Sequence, residues 1–204
     1  MSPPSEAAAG FGPYRIMPRP VLCDGPLVLR AVDPPDIEPI RLWRNAQMDV
    51  LRQDAPIPPD GQRAYFAAQI WPQKPSLTPS TILLAIERDG VLIGYGGLVH
   101  VSWPDRRAEI SFLLDPQIEA DPGSRAEAFS TFLRLIRGLA FDDLSLNRIF
   151  TETYATRKAH IVTLESSGMI FEGRMIEHVV VDGRPTDSLV HGLVRSHVRK
   201  EGSR

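Results

Sequence analysis

Residues 106 to 141, RRAEISFLLDPQIEADPGSRAEAFSTFLRLIRGLAF, constrain the fold more than any other stretch. RRAEISFLLD (106–115) reads as a strand that sends Glu109, Ser111 and Leu113 to one side and Ile110, Phe112 and Leu114 to the other. After a short connection, Phe129, Phe132, Leu133, Ile136 and Ala140 fall at helical spacing on one face. A strand feeding a long one-faced helix requires a sheet for that helix to cover.

The remaining segments supply such a sheet. PLVLRAV (26–32) alternates and stops at DPPD, which predicts a strand and a turn. Residues 36–53 and 60–71 read as two helices, the second stopped by Pro72. TILLAIE (81–87) and VLIGYGGLVHVSW (91–103) flank RDG, a hairpin signal, and with 106–115 they make an antiparallel meander. NRIFTETYA (147–155) is a strand, and RKAHIVTLESSG (157–168) a helix closed by Gly168. MIFEGRMIEHVVV and DSLVHGLVRSHV form a terminal antiparallel pair around DGRP. The expectation is an α+β fold: one twisted mixed β-sheet of about seven strands with helices on both faces. Residues 1–20, rich in Pro, Ala, Gly and Ser, are expected to be an arm, flexible or docked through Phe11, Tyr14 and Ile16, and 21–204 a single domain.

The formal net charge of −2 offers no global field for nucleic acid or an anionic membrane. No run approaches the ~18 apolar residues of a membrane span, and the first twenty residues lack the pattern of a secretory signal, so the expected location is cytoplasmic. Cys23 is the one cysteine, which excludes an intrachain disulfide and a cysteine-based zinc site, and a lone cysteine reads as a small buried apolar residue. His100, His160, His178 and His191 show no metal-ligand spacing and no metal is expected; His100, on the strand beside Glu109, is the one to watch.

Two features bear on chemistry. Asp121 and Ser124 are both good N-caps and Pro122 suits a first turn; SRAE (124–127) fits a capping box with Ser124 as N-cap. A helix start favours an anion and Arg125 adds a cation, yet Glu127 and the acids of DPQIEADPG oppose one. From these residues alone a self-capped helix without ligand is the plainer reading. Glu109, a lone acid among apolar neighbours, is either a strand-end carboxylate paired with a base or a partly desolvated general base. GYGG (94–97) marks a bent strand or a close backbone approach.

Taken in order, LVLRAV, VLIGYGGLVHV, RRAEISFLLDP, FLRLIRGLAFDDLSLNRIFTETYA and LESSGMIFEGRMIEHVVVDGRPTDSLVHGLVR resemble the GNAT superfamily of acyl-CoA-dependent N-acyltransferases, in its RimJ/RimL-like branch. The resemblance covers about residues 26 to 197. It implies acetyl-CoA as co-substrate, lying in a splay between two strands. Its pantetheine would run along the backbone of Phe112, Leu113 and Leu114, and its pyrophosphate would sit on the next helix at Ser124, Arg125 and Ala126. It further implies direct attack by a neutral amine, an oxyanion held by an N–H near Leu113, and Glu109 as base. Three departures stand out. The pyrophosphate loop, Gln/Arg-x-x-Gly-x-Gly/Ala in the family, is replaced by SRAEAF after a longer connection. Arg157 replaces an Asn, with His160 where a Ser is common; Arg157 remains a cofactor candidate. The general-acid Tyr of many members becomes Leu164, leaving the thiolate to depart unaided or to take a proton from water or Tyr154.

For the acceptor, LWRNAQMDVLRQ (42–53) is similar to segments in enzymes that acetylate nucleotide-linked amino sugars. That likeness implies a small-molecule amine, a UDP-linked amino sugar first, with Trp43, Arg44, Asn45, Tyr95 and His100 around it. Trp43 reads equally as a core anchor and Arg44 as a surface charge. Acetylation of a protein N-terminus and a non-catalytic binding role are the alternatives. The terminal strand is a candidate homodimer edge.

Overall fold

The computed structural model describes residues 12–201. Eight strands form one sheet in the order β1-β2-β3-β4-β5-β6-β8-β7. They are β1 (Val21–Asp24), β2 (Leu27–Ala31), β3 (Ile82–Arg88), β4 (Val91–Ser102), β5 (Arg107–Leu114), β6 (Arg148–Tyr154), β7 (Ile170–Val181) and β8 (Arg184–Val194). Every neighbouring pair is antiparallel except β5 and β6, which are parallel. The α+β, mixed-sheet architecture is as expected, with one strand more. β1 forms a hairpin with β2 across Gly25, whose φ of +57° suits glycine. As the edge strand it buries Leu22 and turns Cys23 to solvent, so Cys23 is not the core residue expected.

The sheet separates two cores. On one side lie α4 (Pro122–Gly138) and α5 (Lys158–Ser166); Phe129, Phe132, Leu133 and Ile136 of α4 are buried with Ile110 and Leu114 of β5. On the other lie α1 (Ile37–Ala46) and α2 (Pro59–Tyr65), the latter continued by a π-turn over Phe66–Ile70. Ile40, Trp43, Phe66 and Ile70 meet Leu83, Tyr95 and Leu113 there. Leu113 and Leu114 thus face opposite layers, as the strand alternation requires.

Several boundaries differ from expectation. α1 stops at Ala46, and Met48–Val50 makes a 3₁₀ turn, so residues 47–58 become a loop over the sheet. The connection after β5 holds a short helix, α3 (Pro116–Ala120). Both α3 and α4 begin with Asp-Pro: Asp115 accepts from the Gln117 N–H and Asp121 from the Ser124 N–H, with proline at the first helical position. Asp121, not Ser124, therefore caps α4, and Glu127 turns to Arg88 at 3.2 Å instead of closing a capping box. The last strand ends at Val194, where alternation stops, and Arg195–Glu201 forms α6.

The glycines of GYGG serve close approach. A Cβ on Gly96 would stand 2.4 Å from the Ser111 carbonyl oxygen, and one on Gly97, at φ +143°, 2.0 Å from that of Ile82. Phe11 lies outside the described residues, but Tyr14 is buried against the sheet and Ile16 packs beside it. The Tyr14 hydroxyl accepts the Leu83 N–H at 2.9 Å. Tyr14→Phe should therefore strand a buried donor and destabilise the protein by about 1–3 kcal/mol in urea unfolding.

Candidate active site

The parallel pair β5–β6 is joined over only Arg107↔Arg148, Ala108↔Ile149 and Glu109↔Phe150. Beyond Glu109 the two strands are no longer paired, and a cavity of about 250 Å³ opens between them. Its wall comes from β5 (Glu109 to Phe112), β6 (Thr151 to Tyr154), the loop after α1 (Val50 to Arg52), α4 (Phe129) and the start of α5 (Arg157, His160). Asp115 donates its N–H to Ile93 on β4 at 2.8 Å. By strand alternation the N–H groups of Ser111 and Leu113 also face β4, and those of Phe112 and Leu114 face the open side. The Leu114 carbonyl there accepts from Gln47 Nε2 at 2.8 Å.

Two carboxylates share the cavity. Glu109 and Glu152 have side chains 16% and 15% exposed. Arg52 lies between them, with Nη2 2.5 Å from Glu152 Oε2 and 3.8 Å from Glu109 Oε1. His100 Nε2 stands 3.9 Å from Glu109 Oε2, and His178 Nε2 3.7 Å from Glu152 Oε1. His100 reaches there from a bulge, at φ +50°, and is 70% exposed. Tyr154 closes the same side, and burial raises its phenol above the ordinary value, so it stays protonated.

The opposite end is basic. Arg157 Nη2 and His160 Nε2 are 2.6 Å apart, and Glu119 of α3 stands 3.7 Å from the first and 3.6 Å from His160 Nδ1. Arg125 donates to the Glu119 carbonyl at 3.0 Å. Burial lifts the Glu119 carboxyl against the pull of Arg157 and Arg125. The His160 ring packs on Phe129, 4.9 Å between centroids. Burial, then Arg157 and Arg125, push His160 down to about 3, so it is neutral and accepts from Arg157.

The residues singled out from the sequence are thus partly assembled. Glu109, Phe112, Arg157, Arg44 and His100 line the cavity. Leu113 and Leu114 are buried beside it. Ser124, Arg125 and Ala126 sit at the start of α4, whose Ser124 N–H is held by Asp121. Three acceptor candidates do not line the cavity: Trp43 is a core residue; Tyr95 is buried and its hydroxyl accepts from Arg44 Nη1 at 2.9 Å; Asn45 clamps the loop through Ile57 and Gln53. Leu164, at the position where the family resemblance implied a general-acid tyrosine, is core. Glu152, Arg52 and Glu119 were not anticipated. Glu152 does follow from β6 alternation, which puts it on the face of Tyr154, once β6 is known to lie beside β5. No three His, Cys, Asp or Glu side chains gather to hold a metal among the described residues, and no helix there is long and apolar enough to cross a membrane.

His160 titrates at its ordinary 6.5 when unfolded and near 3 when folded. The unfolded chain then binds the extra proton, so stability present above pH 6.5 is lost as pH falls toward 3, by up to ~1.4 kcal/mol per unit. His160→Gln should flatten that part of the decline, measured by urea unfolding between pH 6.5 and 4.

Comparison with known proteins agrees with this geometry. No curated protein matches the sequence. Solved structures of similar fold include mutant forms of the spermidine/spermine N-acetyltransferase SpeG from Vibrio cholerae, with TM-score 0.74 and 18% identity over 88% of this chain and 100% of that one. The Vibrio cholerae spermidine N-acetyltransferase in complex with CoA and spermine gives 0.73 and 19%, over 85% and 98%. A dodecameric structure of that protein gives 0.73 and 18%, over 88% and 100%. These likenesses overturn the expected RimJ/RimL-like, amino-sugar branch, and with it the UDP-linked acceptor and the homodimer, since the similar proteins are polyamine enzymes and one is a dodecamer. The acetyltransferase (GNAT) domain family matches residues 26–170, well over half of the chain. The chain belongs to that family, and is an enzyme that transfers an acetyl group from acetyl-CoA to an amine.

Proposed function

We propose that the acceptor is a polyamine, acetylated by direct attack on acetyl-CoA. The observation that carries this reading is the pair of carboxylates, Glu109 and Glu152, facing one cavity. Asp49, Asp54 and Asp182 line the adjoining cavity, which shares Arg52 and Tyr154 with the first. A chain of ammonium groups finds an opposite charge at each stage of that path. At that end of the slot a diphosphate would face Glu109, Glu152 and the three aspartates, offset only by Arg44 and Arg52. The shared fold with a spermidine N-acetyltransferase that binds CoA and spermine supports the same choice.

In this reading acetyl-CoA enters the splay along the open edge of Phe112 and Leu114. Arg125 and Arg157, released from Glu119, meet its phosphates. Glu109 takes a proton from the bound ammonium, directly or through a water. The amine nitrogen attacks the thioester carbon, and the tetrahedral oxyanion is held by the open-edge N–H groups flanking Leu113. The C–S bond then breaks; Tyr154, kept protonated by burial, gives its proton to the leaving thiolate and takes one back from the protonated amide nitrogen, while Glu109 passes its proton to solvent.

Spermidine-dependent release of CoA thiol tests this. The wild type should turn spermidine over with acetyl-CoA; no turnover at millimolar amine sinks the polyamine reading. Glu109→Gln should lower kcat by roughly 10²–10⁴, and an unchanged rate at every pH removes Glu109 as base. Arg125→Ala should weaken acetyl-CoA binding by about tenfold or more, the worth of one charge-assisted contact.

A further inference from the structure

Arg52 does not belong in an empty seat for a cation. It lies in the loop after α1, and its guanidinium bridges Glu109 and Glu152, where an acceptor ammonium would sit. The bridge is lopsided. Nη2 is 2.5 Å from Glu152 but 3.8 Å from Glu109, and the Arg52 side chain is 52% exposed. Glu152 Oε1 is buried and accepts no hydrogen bond. So the two carboxylates are incompletely satisfied by the arginine that bridges them, and that arginine is within reach of water.

We propose that Arg52 is a resident cation, which occupies the amine seat and competes with every acceptor for it, so that acceptors carrying two or more ammonium groups fill the site at concentrations where a monoamine does not. The proposal rests on reading the cavity as a polyamine site. A monoamine replaces one positive charge by another and leaves the guanidinium to be accommodated elsewhere. A diamine or longer polyamine replaces it at Glu109 and Glu152 and gains a second contact at Asp49 or Asp54 in the adjoining cavity. The Arg52–Glu152 pair is single-ended and half-exposed on the arginine side, so a doubly charged acceptor displaces it more readily than a single charge does. Arg52 acts by competing for the seat, beside Glu109 and Glu152, and takes no proton or acetyl group itself.

The test compares n-butylamine, 1,4-diaminobutane and spermidine on the full chain, with binding by calorimetry and steady-state turnover with acetyl-CoA. Arg52→Ala and Arg52→Lys are the variants; the half-exposed loop position leaves both cores untouched. In Arg52→Ala the dissociation constants and KM values for n-butylamine and spermidine should fall together by about three- to tenfold, since both displace the same guanidinium. The kcat for spermidine should stay within about twofold. Arg52→Lys should keep the wild-type dissociation constants. Unchanged or weaker n-butylamine binding in Arg52→Ala overturns the proposal and makes Arg52 a strut for Glu152. Tighter n-butylamine binding in Arg52→Ala, with no spermidine turnover by the wild type, upholds the resident cation and overturns the polyamine reading alone.

Discussion

Three residue pairs hold β5 to β6, and everything distinctive about the molecule follows from there being no more. A parallel pair inside an otherwise antiparallel sheet is a joint between two halves, the meander of β1 to β5 and the unit of β6, β8 and β7. At Glu109 and Phe150 the halves part. An open seam in a sheet leaves a row of backbone donors and acceptors without strand partners, which is unfavourable unless something fills it. The protein braces the seam from both sides. Phe112 stacks on Phe129 of α4 at 4.3 Å, and Gln47 from the loop after α1 meets the Leu114 carbonyl.

The seam is also electrically polarised. Carboxylates of β5 and β6 gather on the side of the α1–α2 loop, and Arg125, Arg157 and neutral His160 gather at the α4–α5 end. Each cluster carries a counter-charge of its own: Arg52 among the acids, Glu119 among the bases. A positively charged acceptor and a negatively charged donor therefore approach opposite ends of one slot and meet where Glu109 and Tyr154 face it.

Much of this was written locally. Alternation in 106–115 placed Glu109 correctly on the face opposite Ile110, and helical spacing from Phe129 to Ala140 identified the face of α4 that is buried. What escaped were features that depend on neighbours distant in sequence. Glu152 becomes a site residue only because β6 lies parallel to β5, a pairing no local pattern announces. Arg52 sits in an irregular loop, where no periodicity assigns a direction. Trp43 carries the same residue pattern whether its ring faces ligand or core, and the apolar layer of Ile40, Phe66 and Ile70 takes it. The Asp121-Pro122 start was legible beside the competing capping box at Ser124, and only the neighbours decide between them, since Glu127 pairs with Arg88; the Asp115-Pro116 start of the short α3 carries too brief a pattern to stand out.

Asp121 has a wider meaning for how such an enzyme cycles. Its carboxylate already satisfies the start of α4, at the end of the helix where a phosphate would otherwise be welcome. A helix that brings its own anion does not wait for a ligand to become whole. Its first turn is completed by the chain itself, and a phosphate arriving there would meet a negative charge already in place.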